Sequence, residues 1–250
     1  MIDEKFVSGF VDYLKTAKNQ NLNKNRESDY LAQNTQNKLC SKLNTVLKKA
    51  VREKIISENP LDYIDRKDLP KTDPATREYL TVEELKKLID TDCKNEHVKR
   101  AFLFCCLTGL RFSDVSNIRW QNFSLNNSGA YELRFRMQKN KKDIVIQISN
   151  EATKWLPEKG EPTDKVFKLS KNEAVNPILS EWVEAAGINK DITFHCSRHT
   201  AATLNLSLGV PVAVVSKLMG HSKIATTEIY AKIVDKAQRA AVDKQDGLFD

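Results

Sequence analysis

Two short runs of alternating apolar and polar residues interrupt a sequence that is otherwise helical in pattern. The first run is LRFRMQ at residues 133–138, and the second is IVIQI at residues 144–148. Alternation with a period of two places one set of side chains on a single face of a strand. The segment between the runs contains Lys139, Lys141 and Lys142. The pattern therefore predicts a β-hairpin with a basic turn in an otherwise helical chain.

The other periodic segments are typical of amphipathic helices. In the first of them, Phe6, Phe10, Tyr13 and Leu14 fall on one predicted apolar face. A second helix follows a polar loop at 19–29 and ends before Pro60. Further helices are predicted at residues 98–107, 172–186, 196–208, 211–219, 222–230 and 231–244. The predicted fold class is mainly α with a small antiparallel β-sheet.

The segment 65–80 is the best linker in the chain, because it carries two prolines, many charges and few large apolar residues. Thr81 and Glu84 have the spacing of a capping box, which predicts that a new helix begins there. We therefore expect a helical domain at 1–68, a linker at 69–80 and a larger domain at 81–250.

Composition excludes several classes of protein but does not identify a function. The 250 residues include 40 Lys or Arg and 33 Asp or Glu, and 40% are hydrophobic, as in a globular protein. The longest apolar stretch, 101–107, is far shorter than the ~18 residues of a membrane span. Five cysteines without a CxxC pair argue against a disulfide framework and favour the cytoplasm. The charge of +7 is compatible with a nucleic-acid partner but does not require one.

Three of the four histidines, His195, His199 and His221, lie within 27 residues. Zinc binding by HCSRH is disfavoured, since Cys196 would point away from the two histidines on a helix and no acidic residue lies nearby. Ordinary helix packing remains open for each histidine. The alternative is anion binding, because His195 and Arg198 share one side of a helical turn and a guanidinium binds phosphate with two prongs.

Other residues are ambiguous singly but consistent together. Gly109 breaks the helix before Arg111, and Gly220 can end another before His221. Two arginines can neutralise a phosphodiester and a lysine of the hairpin can protonate a leaving oxygen. The phenol of Tyr230 can attack phosphorus if neighbouring cations or a base activate it. The combination predicts a phosphoryl-transfer site without a metal or cofactor.

These motifs resemble those of tyrosine recombinases of the phage integrase family over residues 81–235. The residues that carry the resemblance are Thr108-Gly109-Leu110-Arg111, Lys139, His195-Cys196-Ser197-Arg198, Leu218-Met219-Gly220-His221-Ser222 and Thr226-Thr227-Glu228-Ile229-Tyr230. The N-terminal helices resemble the SAM-like core-binding domain of the family. The subgroup that the chain most resembles is the integrases of Bacteroides-type mobile elements and conjugative transposons.

The resemblance implies a role for each matched residue. Tyr230 is the expected nucleophile, which forms a 3′-phosphotyrosyl link. The other expected catalytic residues are Arg111, Lys139, His195, Arg198 and His221, with Asp114 supporting the arginines and His199 structural. Relatives often have Lys-Thr where this chain has Lys139-Asn140, so Lys141 is an alternative general acid. The expected DNA-binding residues are Arg134, Arg136, Lys139, Lys141 and Lys142.

The resemblance also implies function and partners. We expect site-specific integration or excision of a mobile element through a Holliday junction, by a bacterial cytoplasmic enzyme that associates with the nucleoid. The expected partners are double-stranded DNA sites, other copies in a tetramer joined by the C-terminal segment, and accessory DNA-bending proteins. No arm-binding domain precedes the core-binding helices, so a minimal or shortened recombinase is expected. A DNA invertase, an Xer-like resolvase, a type IB topoisomerase and an inactive DNA-binding regulator remain alternatives.

Overall fold

A computed structural model describes residues 2–19, 29–72, 77–139 and 141–243. The chain forms two compact units, Met1–Thr76 and Arg77–Asp250. Within the described residues, no helix has both the length and the apolar character that a membrane span requires.

The first unit is built on two helices, α1 at Glu4–Thr16 and α2 at Gln33–Arg52, followed by a 3-10 turn at Pro60–Tyr63. The buried face of α1 is Val7, Val11 and Leu14. The predicted face was wrong in part, because Phe6 and Tyr13 are 52% and 63% exposed. Of the predicted loop at 19–29, residues 20–28 lie outside the described residues.

The second unit is mainly helical, and α3 begins at the predicted capping box: the Thr81 hydroxyl accepts from the Glu84 N–H, and the Glu84 carboxylate accepts from the Thr81 N–H. The helices are α3 at Val82–Asp90, α4 at Glu96–Thr108, α5 at Phe112–Val115, α6 at Asn150–Thr153, α7 at Asn172–Ala185, α8 at Cys196–Ser207, α9 at Val212–Leu218 and α10 at Ala225–Asp243. The strands are β1 at Phe123–Leu125, β2 at Tyr131–Arg136 and β3 at Asp143–Gln147.

The sheet confirms the predicted hairpin and adds a strand to it. The strands are antiparallel in the order β1-β2-β3, and Leu133 lies opposite Ile146 with both side chains buried. Strand β1 was not predicted, because three residues are too few to show alternation. The fold class, mainly α with a small antiparallel sheet, is confirmed.

Helix α4 forms the centre of the larger core. Its residues 101–106 are all buried, and it packs against α6, α7 and α8. Gly109 ends α4 with a φ of +70°, a conformation that favours glycine. A Cβ at this position would lie 2.6 Å from the Met219 Sδ atom, so the end of α4 lies directly against the end of α9.

One helix replaces the two that were predicted at 222–230 and 231–244. Helix α10 runs without a break through Tyr230 and begins at Ala225, so Ser222 is not at its start. It packs against α8 and α9. The predicted turn at Gly220 is confirmed, since this residue has a φ of +60° directly after α9.

Candidate active site

Arg111 lies just past the Gly109 turn, where it is the N-cap residue of α5. Its Nη1 atom is buried and has no hydrogen-bond partner among the described residues. A buried guanidinium nitrogen that lacks an acceptor is costly, which suits a site completed by an anionic ligand. Sequence reasoning placed Arg111 at the end of a buried helix, and the structure confirms that position.

Arg198 holds the ends of two other helices together from the first turn of α8. It is 4% exposed, and its Nη1 atom donates to the Gly109 carbonyl at 2.5 Å. Its Nη2 atom donates to the Met219 carbonyl. Burial and then the nearby charge of Arg111 lower the pKa of Arg198 to about 10, which leaves it protonated at neutral pH. The structure therefore brings two like charges close together, because Arg111 and Arg198 affect each other electrostatically.

Two of the predicted histidines flank this arginine pair. His195 is exposed at the N-terminus of α8. Its pKa is lowered, first by the desolvation of part of its ring and then by the charges of Arg198 and Arg111. His221 follows Gly220, and its Nδ1 atom lies 2.8 Å from the Thr227 hydroxyl. Burial and the same arginines lower the pKa of His221 to about 4. The His221 imidazole is therefore neutral at pH 7.

Tyr230 is 3% exposed and packs on Ala201 and Met219. Its phenol oxygen nevertheless contacts two polar groups, the His199 Nδ1 atom at 2.7 Å and the Arg77 Nη1 atom at 3.2 Å. The charge of Tyr230 also acts on Arg198, whose pKa it raises. The phenol is thus buried within electrostatic reach of Arg198 and contacts polar groups, rather than being sealed in apolar packing.

Sequence reasoning missed the contacts that Arg77 and His199 make with the phenol. Arg77 falls in the segment that was predicted to be a linker, where one more charged residue carries no signal. His199 was predicted to be structural, and its ring lies between those of His195 and Tyr230, with centroid distances of 4.8 Å and 5.5 Å. The order of residues in HCSRH could have drawn attention to His199, but nothing local marks Arg77.

The hairpin turn carries the predicted lysines at the surface. Lys139 is exposed, and its charge is among those that lower the pKa values of His195 and His221, so it lies within electrostatic reach of the site. Lys141 is also exposed, with a φ of +55°, and its Nζ atom lies 3.5 Å from the Gln138 Oε1 atom.

Asp114 connects this turn to the arginine pair. The Asp114 side chain is buried, and its Oδ1 atom accepts from the Gln138 N–H at 2.9 Å. Its charge also raises the pKa of Arg198. Asp114 therefore fixes the start of the turn beside Lys139 while it favours the charged form of Arg198.

The other basic residues of the hairpin are engaged within it. The Arg134 Nη2 atom lies 2.9 Å from the Glu132 carboxylate, and the Arg136 Nε atom donates to the Lys141 carbonyl at 2.9 Å. Both arginines are exposed, so they remain accessible to a partner.

Comparison with known proteins gives consistent matches over most of the chain. The phage integrase family model matches residues 78–237, and the model of the phage integrase SAM-like domain matches residues 1–68. A tyrosine recombinase of Pseudothermotoga lettingae is 31% identical over 201 residues, which are 76% of this chain and 67% of that protein. The tyrosine recombinase XerC of Chlamydia pneumoniae is 27% identical over 225 residues, or 83% and 70% of the two chains.

Two solved structures have a fold similar to that of this chain. The Tn1549 transposon integrase in complex with circular intermediate DNA has a TM-score of 0.66 at 18% identity, with 92% of this chain and 80% of that chain covered. A lambda integrase dimer bound to a COC′ core site has a TM-score of 0.66 at 17% identity, with 92% and 79% covered. At these identities the likeness establishes the fold.

Proposed function

The chain belongs to the phage integrase family of tyrosine recombinases, and on that premise we propose that Tyr230 breaks and rejoins DNA strands at specific sites. The observation that carries the proposal is the buried phenol of Tyr230, which acts electrostatically on the buried guanidinium of Arg198, as Arg111 also does. These three residues come from distant parts of the chain: Arg111 follows α4, Arg198 lies in the first turn of α8, and Tyr230 lies within α10.

The chemistry balances without a cofactor. The phenol of Tyr230 gives its proton to a neighbouring imidazole while its oxygen attacks the scissile phosphorus. The bond from phosphorus to the 5′ oxygen breaks, and that oxygen takes a proton from a lysine of the hairpin. The products are a 3′-phosphotyrosyl ester and a free 5′-hydroxyl. Attack by another 5′-hydroxyl reverses these steps and joins a new strand, because the ester retains the energy of the broken bond.

Arg111 and Arg198 bind the scissile phosphate in this proposal. Fixed positive charges that face the negative charge developing on the phosphate stabilise the transition state more than the ground state. The bonds of Arg198 to two carbonyls orient it before DNA arrives, and the Arg111 Nη1 atom gains the acceptor that it lacks. His221 is neutral at pH 7, so its imidazole can donate a hydrogen bond to the phosphate or relay a proton. His195 is exposed and can assist in the same roles.

We assign the general acid role to Lys139 and keep Lys141 as the alternative. The electrostatic effect of Lys139 on His195 and His221 supports its closeness to the phosphate. Asp114 holds the turn through the N–H of Gln138, the residue before Lys139. Protonation of the leaving 5′ oxygen by a positioned side chain contributes about 10²–10⁴-fold to a rate.

The proposed partner is double-stranded DNA, and the similar Tn1549 transposon integrase is in complex with circular intermediate DNA. Arg134, Arg136, Lys141 and Lys142 line the hairpin as exposed cations that can contact phosphates. We propose further that DNA-bending proteins assist and that the reaction takes place in the bacterial cytoplasm, at the nucleoid.

We also propose that four copies assemble on DNA through the C-terminal segment, residues 236–250. An apolar groove of about 330 Å³ on the second unit, lined by Leu204, Leu208 and Leu218 among others, can receive such a segment from a neighbouring copy. Leu208 and Leu218 are 74% and 41% exposed, so contact with a neighbouring copy would remove apolar surface from water. Deletion of 236–250 should weaken pairing of two DNA sites more than binding to one, and equal loss of both would contradict this assembly.

The biological task is integration or excision of a mobile element in our proposal, as in the Bacteroides-type elements. Names such as XerC among the relatives favour a second candidate, an Xer-like resolvase of the same family. The DNA that flanks the gene tests these candidates: attachment-site repeats with transfer genes indicate an integrase, and their absence favours the resolvase. An invertible promoter between inverted repeats would indicate an invertase instead. Relaxation of a plasmid without any target site would instead indicate a topoisomerase.

The decisive experiment for the chemistry uses Tyr230→Phe. The flanking DNA supplies candidate sites, and the bound site is made as a suicide substrate with a nick near the scissile phosphate. Wild type should accumulate a covalent adduct, while Tyr230→Phe should bind the same DNA and form none. An adduct in the variant would refute the assignment, and absence of cleavage by wild type would favour an inactive regulator.

A further inference from the structure

The phenol oxygen of Tyr230 lies between two polar side chains that no motif singled out. The Arg77 Nη1 atom is 3.2 Å from it on one side, and the His199 Nδ1 atom is 2.7 Å from it on the other. The Arg77 guanidinium also lies 5.3 Å from the centre of the Tyr230 ring. Both contacts fall within the second unit of the chain.

The donors and acceptors in this contact can be assigned from chemistry. A guanidinium can only donate, so the phenol oxygen accepts from Arg77. Burial first, and then His195, Arg77 and Arg198, lower the pKa of His199 to about 4, so its ring is neutral at pH 7. A neutral imidazole has one nitrogen that accepts, and at 2.7 Å the phenol proton has His199 Nδ1 as its nearest acceptor. The phenol proton therefore points toward His199.

Arg77 reaches the phenol from a segment that is fastened to the same helix as His199. Three residues after Arg77, the Leu80 N–H donates to the Thr200 hydroxyl on α8 at 2.9 Å, and the Leu80 side chain is 2% exposed. The Tyr79 carbonyl accepts from the Lys190 Nζ atom at 3.0 Å. These bonds hold the backbone that follows Arg77 against α8.

A second group of contacts holds the same lysine. The Lys190 Nζ atom also donates to the Glu84 carboxylate at 2.6 Å, and the same carboxylate completes the capping box at Thr81. The segment 77–80 is therefore fixed from both of its neighbours, the start of α3 and the first turns of α8. These bonds restrict the positions that the Arg77 side chain can reach, whereas an arginine in an unattached linker could occupy many.

We propose that Arg77 and His199 are positioning residues that clamp the Tyr230 phenol for its attack on phosphorus, an inference that rests on the proposed role of Tyr230. Arg77 holds the phenol oxygen by donation and adds a third guanidinium charge beside the pair that binds phosphate. His199 fixes the direction of the phenol proton. Orientation of this kind matters because a misplacement of about 1 Å can cost ~10²-fold in rate.

The opposite possibility is a restraint, in which the same contacts hold the phenol away from DNA. The two possibilities predict opposite changes when a contact is removed: loss of a positioning contact slows adduct formation, whereas loss of a restraint leaves it unchanged or accelerates it. The rate of adduct formation in a single turnover therefore decides between them.

The test uses the full chain with the suicide substrate at saturating protein. Arg77→Ala should lower the adduct rate by about 10- to 100-fold, and Arg77→Lys should restore part of it, because a lysine keeps a donor and a charge. Arg100→Ala is the matched control, since it removes an arginine from the far end of α4, about 14 Å along that helix from Gly109. An Arg77→Ala rate equal to or above that of wild type would overturn the proposal.

His199 offers a sharper pair of variants. The amide oxygen of Asn stands near the position of the imidazole Nδ1 atom, so His199→Asn should keep an acceptor for the phenol that His199→Ala lacks. The rate should fall in His199→Ala and recover in His199→Asn. Equal rates in both variants would show that no acceptor at this position matters.

A measurement without DNA separates this proposal from failure of the proposed function. In nitrogen-15 spectra of the four histidines, His199 should carry its proton on Nε2. Arg77→Ala should raise the pKa of His199 above its value of about 4, while burial and His195 still keep it below 6.5. A proton on Nδ1, or an unchanged pKa, would contradict the clamp. If Tyr230→Phe still formed an adduct, the proposed function would fail; a normal rate in Arg77→Ala beside an inactive Tyr230→Phe would remove the clamp alone.

Discussion

The candidate site has two sides that are built in different ways. One side, the helix-end wall, is formed by Arg111, Arg198 and His221 at the ends of α4, α8 and α9. The other, the hairpin turn, is residues 137–142 between β2 and β3, where Lys139 and Lys141 are exposed. Arg198 is 4% exposed and bonded to two backbone carbonyls, whereas the hairpin lysines stand in solvent.

The difference follows from what each group must do in the proposed reaction. Charges that bind a phosphate act most strongly when they are fixed and shielded from water. The arginines of the helix-end wall are therefore desolvated before DNA binds. A proton donor needs to keep its own proton until the leaving oxygen forms. Exposure keeps a lysine charged, since burial favours its neutral form. The charges of the wall are therefore desolvated when the protein folds, whereas those of the hairpin turn stay hydrated.

The comparison is tested most severely by Arg198→Lys and Arg111→Lys. Both should lower the adduct rate by about 10²-fold or more, because a lysine cannot reproduce the fork of a guanidinium. Only Arg198→Lys should also destabilise the fold, by roughly 1–3 kcal/mol, since the carbonyls of Gly109 and Met219 lose a buried donor. Urea unfolding checks this, and an equal loss of stability in Arg111→Lys would show that both arginines are structural.

The hairpin turn should behave in the reverse manner. Lys139→Ala should lower the adduct rate by about 10²-fold and change the free energy of unfolding by less than about 0.5 kcal/mol, as an exposed substitution does. Lys141→Ala is the matched variant. A substrate with sulfur in place of the leaving 5′ oxygen needs no proton, so it should rescue the variant that lacks the acid and no other. Rescue of Lys141→Ala instead would exchange the two roles.

A pair of glycines compares the helix-end wall with a surface turn outside the site by stability alone. Gly109 in the wall and Gly129 between β1 and β2 both have positive φ angles, +70° and +77°. A Cβ at Gly129 meets nothing within 4 Å, while one at Gly109 would lie 2.6 Å from the Met219 Sδ atom. Gly129→Ala should cost about 1–2 kcal/mol through backbone strain, and Gly109→Ala about 1–3 kcal/mol more through the clash. Equal losses of stability in thermal unfolding would mean that the Met219 side chain shifts easily to accommodate the added methyl group.

Local patterns in the sequence were enough to predict the hairpin, the capping box at Thr81 and the two glycine turns. Each of these is determined by neighbours along the chain: alternation for the strands, side-chain caps for the helix start, and positive φ for glycine. The motifs then indicated which residues meet, because their order and spacing are those of a known family. The fold class followed from the same patterns.

What the sequence did not predict depends on distant contacts. Arg77 meets Tyr230 across 153 positions of the chain, and no periodicity links them. The apolar face of α1 was misassigned, because Phe6 and Tyr13 satisfy a helical spacing as well as the buried residues do. The break that was predicted within α10 reflects the end of a motif, and a motif boundary does not oblige a helix to stop.

The smallest expected effect is a difference in pH response between the two sides. His199 and His221 have pKa values lowered from 6.5 to about 4 by burial and neighbouring arginines, so protons prefer the unfolded chain. Their contribution to stability is complete above pH 6.5 and is lost as the pH falls toward 4. Since both rings are only half-buried, solvent reduces the loss to on the order of 1 kcal/mol each. Urea unfolding of wild type and of His199→Gln combined with His221→Gln should therefore converge in stability as the pH falls, while Lys139→Ala follows wild type at every pH. Parallel curves for wild type and the histidine variant would show that the wall does not hold these imidazoles neutral.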